Sequence, residues 1–433
     1  MGSSADYNEN EIPASTQTQG AHPNGVSVTQ SIADSDHVEV ISPIQTRQAL
    51  RPFSWLKWYN ACKQVLPIYL AIHLAFLILT YLATLFSIPN FSSKALPLSS
   101  LWHSWFRWDS GHFTHIATYG YDAAWRTAFF PLFPLLERGL AFLTHDPFVA
   151  GLIVANLAGL VMLVVLFRLV QEDFDSDQAY RTVLYLSVFP TAFFFAAAYN
   201  ESLFLCLALL SFYQMRHGHW WLAGMFGLLA SLTRSVGLLL LVPFFYEYLR
   251  QHDFKLSKIR FDIISSISIA AGLGIFTLYC YFRFHDLLAF SHSQAVWHHE
   301  LHGPWHGLID SFMAIIRHAI LSFDSVHNVI DLSAGLLMLI LVFLCFVGPW
   351  KFSRDRWAYG LYAIITYLFS LLFPLAGGFP LASVSRYMLE IFPAFIVLAA
   401  IGKKQQFNLY YLTLSGAILS FMLLQFLTGG WIV

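Results

Sequence analysis

The chain has 433 residues, of which 57% are hydrophobic, 17% aromatic and only 11% charged, with a net charge of −1. Soluble domains carry about 25% charged residues, so this composition excludes a water-soluble globule and indicates a polytopic membrane protein. No basic block offers nucleic acid a partner, and the widely spaced Cys62, Cys206, Cys280 and Cys345 form no Cys-x-x-Cys pattern that would indicate a disulfide framework or a zinc site.

Residues 1–50, rich in Ser, Thr, Asn, Gln and Gly, lack an apolar face and read as a disordered cytoplasmic tail rather than a signal peptide. Residues 51–433 read as a single membrane domain. Arg47, Arg51, Lys57 and Lys63 precede a first apolar span at Leu66–Ile88, which places the N-terminus in the cytoplasm by the positive-inside rule. The next stretch, Leu101–Pro134, holds four tryptophans and belongs along the opposite bilayer surface, since tryptophan favours the interface. Further apolar segments follow at Ala128–Leu143, Val149–Val170, Thr182–Ala198, Leu203–Tyr213, Leu222–Tyr248, Ile263–Phe282, Val329–Pro349, Tyr359–Pro374, Met388–Ile401 and Leu409–Leu427. The expected architecture is an all-α bundle of about 10–12 membrane segments, several shorter than the ~20 residues of a perpendicular span. Short segments broken by proline or polar residues suggest half-helices bordering an internal cavity.

Arg250, Lys255, Lys258 and Arg260 mark one cytoplasmic loop, Lys351, Arg354 and Arg356 a second, and Lys403 with Lys404 a third. Phe284–Asp310 and Ala376–Ser385 then share the outer side with Leu101–Pro134. If Arg168–Arg181 and Arg216–His219 are both cytoplasmic, Tyr199, Asn200 and Glu201 form the outer tip of one hairpin and Arg234 the tip of the next. Only one of Ala128–Leu143 and Val149–Val170 can then cross fully; Glu137 and Arg138 point to the former as tilted or partly inserted. No convincing internal repeat is present.

Ionisable groups at membrane depth are costly, so each is a candidate for function. Four places qualify: Asp109 with Arg107, Trp108 and His112; Asn200 with Glu201 after the run FFFAAAY; Arg234 in SLTRSVG; and Arg386 with Tyr387 in SRYMLEIFP. A carboxylate at a partly dehydrated aromatic surface suits proton transfer, because poor solvation raises its basicity. Each has a plainer alternative. Asp109 would cap a turn, Glu201 and Arg234 would form an ion pair joining two helices, and Arg386 would snorkel to headgroups. His292, His298, His299, His302 and His306 could suggest a metal, but their spacing favours a pocket mouth, with Gln294 and Trp297 as contacts to a sugar.

The run RWDSGHFTHIATYGY followed by AFFPLFPLL resembles the signature of the PIG-V type mannosyltransferases (GPI mannosyltransferase 2), which add the second mannose to glycosylphosphatidylinositol. The resemblance continues in order through SVFPTAFFFAAAYNESLF, ASLTRSVGLLL, the Gln294/Trp297 loop and SRYMLEIFP, from about residue 66 onward; the first two motifs are the more specific. It implies a membrane glycosyltransferase of the GT-C type, acting in GPI-anchor biosynthesis or on a related glycolipid. Such an enzyme takes mannose from a polyprenyl or dolichyl phosphate donor and inverts the anomeric centre, with no metal and no cofactor. By the resemblance Asp109 is the general base, and Trp108 and His112 shape the sugar pocket. Arg234 and Arg386 are candidates to hold the leaving phosphate, with Asn200 and Glu201 on sugar hydroxyls or orienting Arg234. The compartment expected is the endoplasmic reticulum membrane in a eukaryote or the plasma membrane in a bacterium, with the site lumenal or extracytoplasmic. A transporter or flippase for a lipid-linked sugar is the alternative, and a membrane scaffold a third reading that leaves Arg234 and the Trp108–Asp109 pair unexplained.

Overall fold

The computed structural model of the chain describes residues 55–86, 97–317, 319 and 322–430, so the expected N-terminal tail lies outside the described residues. A first long helix, α1 (Trp55–Phe86), is followed by the short α2 (Ser99–His103), α3 (Asp109–Tyr119) and α4 (Leu132–Thr144). Then come α5 (Pro147–Asp173), α6 (Ser176–Ser187), α7 (Glu201–Arg216), α8 (Trp220–Thr233) and α9 (Leu241–Gln251). The remainder comprises α10 (Ser266–Phe284), α11 (Ala289–His292), α12 (His306–Arg317), α13 (Phe323–Leu344), α14 (Trp357–Ser370), α15 (Val384–Tyr387), α16 (Phe392–Ile401) and α17 (Gln405–Leu427). Among the described residues there is no named strand, and all fall in one compact unit.

Five of these helices are long and apolar enough to cross a membrane: those at Trp55–Leu85, Pro147–Asp173, Phe261–Phe284, Asp324–Leu344 and Gln405–Leu427. A sixth span is available if Val384–Glu390 and Phe392–Ile401, bent by 84° about residue 391, count as one broken crossing. The chain is an all-helical integral membrane protein, but among the described residues fewer helices are long and apolar enough to span in full than the apolar runs suggest. Two causes are visible. Thr182–Ala198 is not continuous: α6 stops at Ser187, and after Pro190, which lacks an N–H and restricts Phe189, only a short 3-10 turn at Ala192–Phe195 forms before α7. Leu222–Tyr248 is likewise broken at Arg234, whose extended backbone ends α8. At 13 residues, α4 is too short to cross, and α5 passes the span test beside it.

Local chemistry sets the ends. Asp146 caps α5, its Oδ1 accepting from the amides of Phe148 and Val149, with Pro147 at the first helical position. Asp175 caps α6 through the Gln178 amide. The first span begins earlier than expected, so Lys57 and Lys63 lie within α1 rather than before it. Leu66, Leu70, Leu74, Leu77, Ile78 and Tyr81 of α1 stay exposed along one stripe, the surface a helix offers to lipid. By contrast, α7 and α16 are apolar on all sides and almost wholly buried, so they form the centre. Against α10, α8 approaches so closely that a Cβ at Gly272 would lie 2.3 Å from the Leu228 carbonyl.

Two of the basic loops, those of Arg250 and Arg354, meet at one end. Arg216, closing α7, binds Asp173 (2.8 Å), Glu247 (3.3 Å) and the carbonyl of Asp355 (2.7 Å). Glu247 also binds Arg250, Asp173 accepts from the Tyr359 hydroxyl, and Glu172 holds Arg168 and His217. The starts of α3 and α7 and the end of α8 lie at the other end, where a cavity opens.

Candidate functional site

A short turn carries the acid. Trp108 adopts φ 48°, ψ −114°, a conformation rare for a residue with a side chain, and so turns the chain into α3 with Asp109 as its first residue. The buried Tyr199 clamps this corner: its hydroxyl accepts from the Asp109 amide (3.3 Å) and donates to the Arg107 carbonyl (3.0 Å). The carboxylate of Asp109 sits at a helix start, where negative charge is favoured. It accepts from Arg386 Nη1 at 2.7 Å, with 27% of its side chain still exposed.

Arg386 is presented in the same manner. Ser383, at φ 69°, precedes α15, and the Ser385 amide and carbonyl are tied to Asp331 and Thr191. The guanidinium is divided between two acids, with Nε 2.6 Å and Nη2 2.5 Å from Glu201 Oε1, while its plane lies over the rings of Phe194 and Tyr199. Arg234 closes α8, and the chain then folds back so tightly that a Cβ at Gly237 would meet the Ser231 nitrogen at 2.5 Å. Its Nη1 donates to Asn200 Oδ1 (2.9 Å) and Glu201 Oε1 (2.8 Å), and its Nε lies 2.8 Å from Glu390 Oε1. Two guanidiniums are thus threaded through three carboxylates, Asp109, Glu201 and Glu390.

These groups border a cavity of about 600 Å³. Trp108, Asp109, His112, Asn200, Arg234, Gln294, Trp297, Arg386 and Tyr387 line it together, although they come from distant parts of the chain. Two other expected contacts lie elsewhere. Arg107 turns its guanidinium to the Leu427 carbonyl (2.8 Å), tying α2–α3 to α17, and does not line the cavity. Glu201 is fully buried behind both arginines; it orients them, and only its neighbour Asn200 reaches the wall. Its ion pair with Arg234 is therefore real, but it also engages Arg386, and both arginines face open space.

The opposite wall is aromatic. His112 lies one turn along α3 from Asp109, ringed by Trp125, Phe129 and Trp297 with centroids 4.8–5.5 Å away. Its Nδ1 is 3.4 Å from Arg126 Nη1; an arginine only donates, so the imidazole proton belongs on Nε2. Burial holds this imidazole below its usual pKa, against the upward pull of Asp109. Gln294 and Trp297 sit on a one-turn helix pinned by the Ser293 hydroxyl to Thr127 (2.9 Å) and the Ala124 carbonyl (3.0 Å). The histidines divide. His299 lines the cavity, burial lowering its pKa, while its Nδ1 hydrogen-bonds the Phe373 carbonyl. His292 pairs with Asp286 and His302 with Glu300. Among the described residues, no group of three or more His, Cys, Asp or Glu could hold a metal ion.

Sequence reasoning missed Glu390 and Thr366, both on the cavity wall. Glu390 had a signal, an acid inside the same apolar run as Arg386; Thr366, a threonine in an apolar helix, had none.

Sequence comparison finds relatives of the family that the motifs resemble. Residues 128–282 match the family described as dolichyl-phosphate-mannose-protein mannosyltransferase, a stretch holding Asn200, Glu201 and Arg234 but neither Asp109 nor Arg386. The chain is 34% identical over 145 residues to GPI alpha-1,6-mannosyltransferase 2 of Rattus norvegicus, and 32% identical over 143 residues to that of Mus musculus. Each match takes in 30% of this chain and spans 29% of the relative's length. Among solved structures, ArnT from Cupriavidus metallidurans bound to undecaprenyl phosphate aligns with a TM-score of 0.46 at 12% identity, over 83% of this chain and 76% of that one. The Archaeoglobus fulgidus oligosaccharyltransferase complex aligns with a TM-score of 0.39 at 12% identity, over 82% and 53%.

Proposed function

We propose that this chain, a relative of the PIG-V type mannosyltransferases, is a GT-C type membrane glycosyltransferase that moves mannose from a polyprenyl or dolichyl phosphate to a glycolipid acceptor related to glycosylphosphatidylinositol. The observation that carries this reading is the Asp109–Arg386 contact on the wall of a cavity large enough for a sugar. Such a site needs a base for the acceptor hydroxyl and a fixed cation for the leaving phosphate. Both are within one hydrogen bond of each other.

In the proposed reaction Asp109 takes the proton of the acceptor hydroxyl, whose oxygen forms a bond to the anomeric carbon. The bond from that carbon to the donor phosphate oxygen breaks on the opposite face, and its electron pair leaves on the phosphate. One displacement inverts the anomeric centre. Charge is conserved beside Arg386, because Asp109 loses its negative charge as the phosphate gains one. The guanidinium can thus pass from carboxylate to phosphate with little reorganisation, which is the economy of a preorganised site. The phosphate is already a fair leaving group, so one carboxylate suffices where glycosidases use two. Trp108, His112, Gln294 and Trp297 offer flat and polar surfaces to a pyranose, and Arg234 and Tyr387 complete the phosphate end.

The gathering of basic loops at the end remote from Asp109 supports a lumenal or extracytoplasmic site, in the endoplasmic reticulum of a eukaryote or the plasma membrane of a bacterium. The test is transfer of radiolabelled mannose from a polyprenyl phosphate donor to lipid acceptors by the purified protein, with Asp109→Asn and Asp109→Ala alongside. Transfer by the wild type and its collapse in both variants is expected. Full turnover in Asp109→Ala would sink the reading.

A further inference from the structure

One buried acid takes no part in the proposed reaction. Asp331 lies about two turns into α13, inside the segment Asp324–Leu344 that is long and apolar enough to cross a membrane. Its side chain is buried, it does not line the cavity, and among the described residues no cation pairs with it. An ionisable group at such a depth is costly to place, so it is a candidate for function, with its partner as the clue. That partner is Ser385, the residue before Arg386. Asp331 Oδ1 accepts from the Ser385 amide at 3.3 Å, and the Ser385 hydroxyl adjoins the same carboxylate. The buried Thr191 hydroxyl donates to the Ser385 carbonyl at 2.9 Å. The two peptide units flanking Ser385 are thus each held from outside, one by α13 and one by the chain after Pro190. Such a hold is needed by α15. Its four residues are too few for a stable helix, and the φ of 69° at Ser383 persists only where the surroundings impose it.

We propose that Asp331 and Thr191 are positioning residues, which fix the backbone at Ser385 and so aim the Arg386 guanidinium at Asp109 and at the leaving phosphate. The assignment rests on the glycosyltransferase reading above. A hold of this kind is distinct from the ion pairs of Arg386 itself. In the proposed reaction the guanidinium passes from Asp109 to phosphate, so its contact with Asp109 cannot direct it throughout. The two bonds to Ser385 involve neither of the charges that exchange. Neither side chain lines the cavity, so both act through Arg386 rather than on substrate. Asp331 serves as an acceptor. Asparagine, which retains Oδ1, then takes its place, whereas leucine does not.

The experiment follows mannose transfer from polyprenyl phosphate mannose by the full-length protein in nanodiscs, under excess enzyme so that slow variants remain measurable. Asp331→Leu, Asp331→Asn and Thr191→Val are compared in the wild-type and Arg386→Gln backgrounds. The near-isosteric Thr191→Val stands if Asp331→Leu fails to fold. Asp331→Leu and Thr191→Val are expected to slow transfer at least about tenfold, since a misplaced group costs up to about 100-fold. Asp331→Asn should stay within about threefold of wild type, the scale of a neutral exchange. In the Arg386→Gln background the same substitutions should change the rate less than about twofold, because a residue that acts through another has nothing left to act on. Equal losses in both backgrounds would overturn the assignment and leave Asp331 a support of the bundle. A loss in Asp331→Asn as large as in Asp331→Leu would overturn the acceptor role, and unchanged transfer in Asp331→Leu and Thr191→Val would overturn the proposal entirely. Amide hydrogen exchange across residues 384–391 reads the hold without activity: it should quicken in Asp331→Leu and not in Asp331→Asn, and equal exchange in all three proteins would overturn the hold. A wild type that transfers no mannose sinks the functional reading instead, and leaves exchange to decide the hold.

Discussion

The two ends of α7 are built from the same materials and do different things. Glu201 opens the helix and Arg216 closes it, ~22 Å apart at 1.5 Å per residue. At the Arg216 end, one arginine is shared by Asp173 and Glu247, and all four carboxylate oxygens are engaged: by Arg216, Tyr359, Arg250 and Gln251. At the Glu201 end, two arginines are shared by three acids, but Glu201 Oε2 and Glu390 Oε1 accept no hydrogen bond, and the arginines face a cavity. A saturated ionic cluster is a clasp. An unsaturated one beside open space is a place for a ligand, because its unmet hydrogen bonds cost free energy until something fills them.

This contrast can be broken by measurement. The largest effect is expected from Asp109→Asn, which should lower kcat by about 10²–10⁴-fold, the usual worth of a general base, while the thermal midpoint stays near that of wild type; equal loss of both would erase the distinction between the two ends. The mirror experiment is Glu247→Gln. Removing one partner of a buried pair costs ~3–5 kcal/mol, so the midpoint should fall sharply, with specific activity per folded molecule and KM for donor retained. A smaller effect belongs to Arg107→Gln, which removes the tie to Leu427 and should cost ~1.5–3 kcal/mol, as for a hydrogen bond to a charged group. A selective rise in donor KM there, without loss of stability, would restore Arg107 to the sugar pocket.

The smallest effect concerns pH. Burial keeps folded His112 below the pKa of an unfolded histidine, near 6.5. The unfolded chain therefore takes up the proton first as pH falls, and stability at this position declines below about pH 6.5. The thermal midpoint of wild type should fall more between pH 7 and pH 5 than that of His112→Gln. Equal acid sensitivity would show that the imidazole is not held neutral.

The acids and arginines were legible because an ionisable group in an apolar run has a cost that composition alone exposes; Asp109, Arg234 and Arg386 stand out in this way, and all three line the cavity. What spacing does not carry is the direction of a long side chain. Arg107 and Arg386 look alike on paper, yet one grips a backbone carbonyl of α17 and the other reaches Asp109. The path of the apolar chain was equally hidden. FFFAAAY reads as part of a continuous helix by hydropathy, but α6 has ended at Ser187, Phe193–Phe195 belong to a short 3-10 turn, and the next α-helix begins at Glu201. That Asn200 and Arg234 stand at the same end was readable from charge parity, which is blind to the 84° bend beyond Glu390.

Trp108 and Ser383 stand immediately ahead of the helices that deliver Asp109 and Arg386, each with a positive φ that its side chain disfavours. Such a residue costs of order 1–3 kcal/mol, drawn from the stability of the whole bundle as it folds. Aim is therefore settled as the chain folds: the acid and the guanidinium are trained on one another by the backbone itself, so the proposed reaction need not spend substrate binding energy on bringing them together.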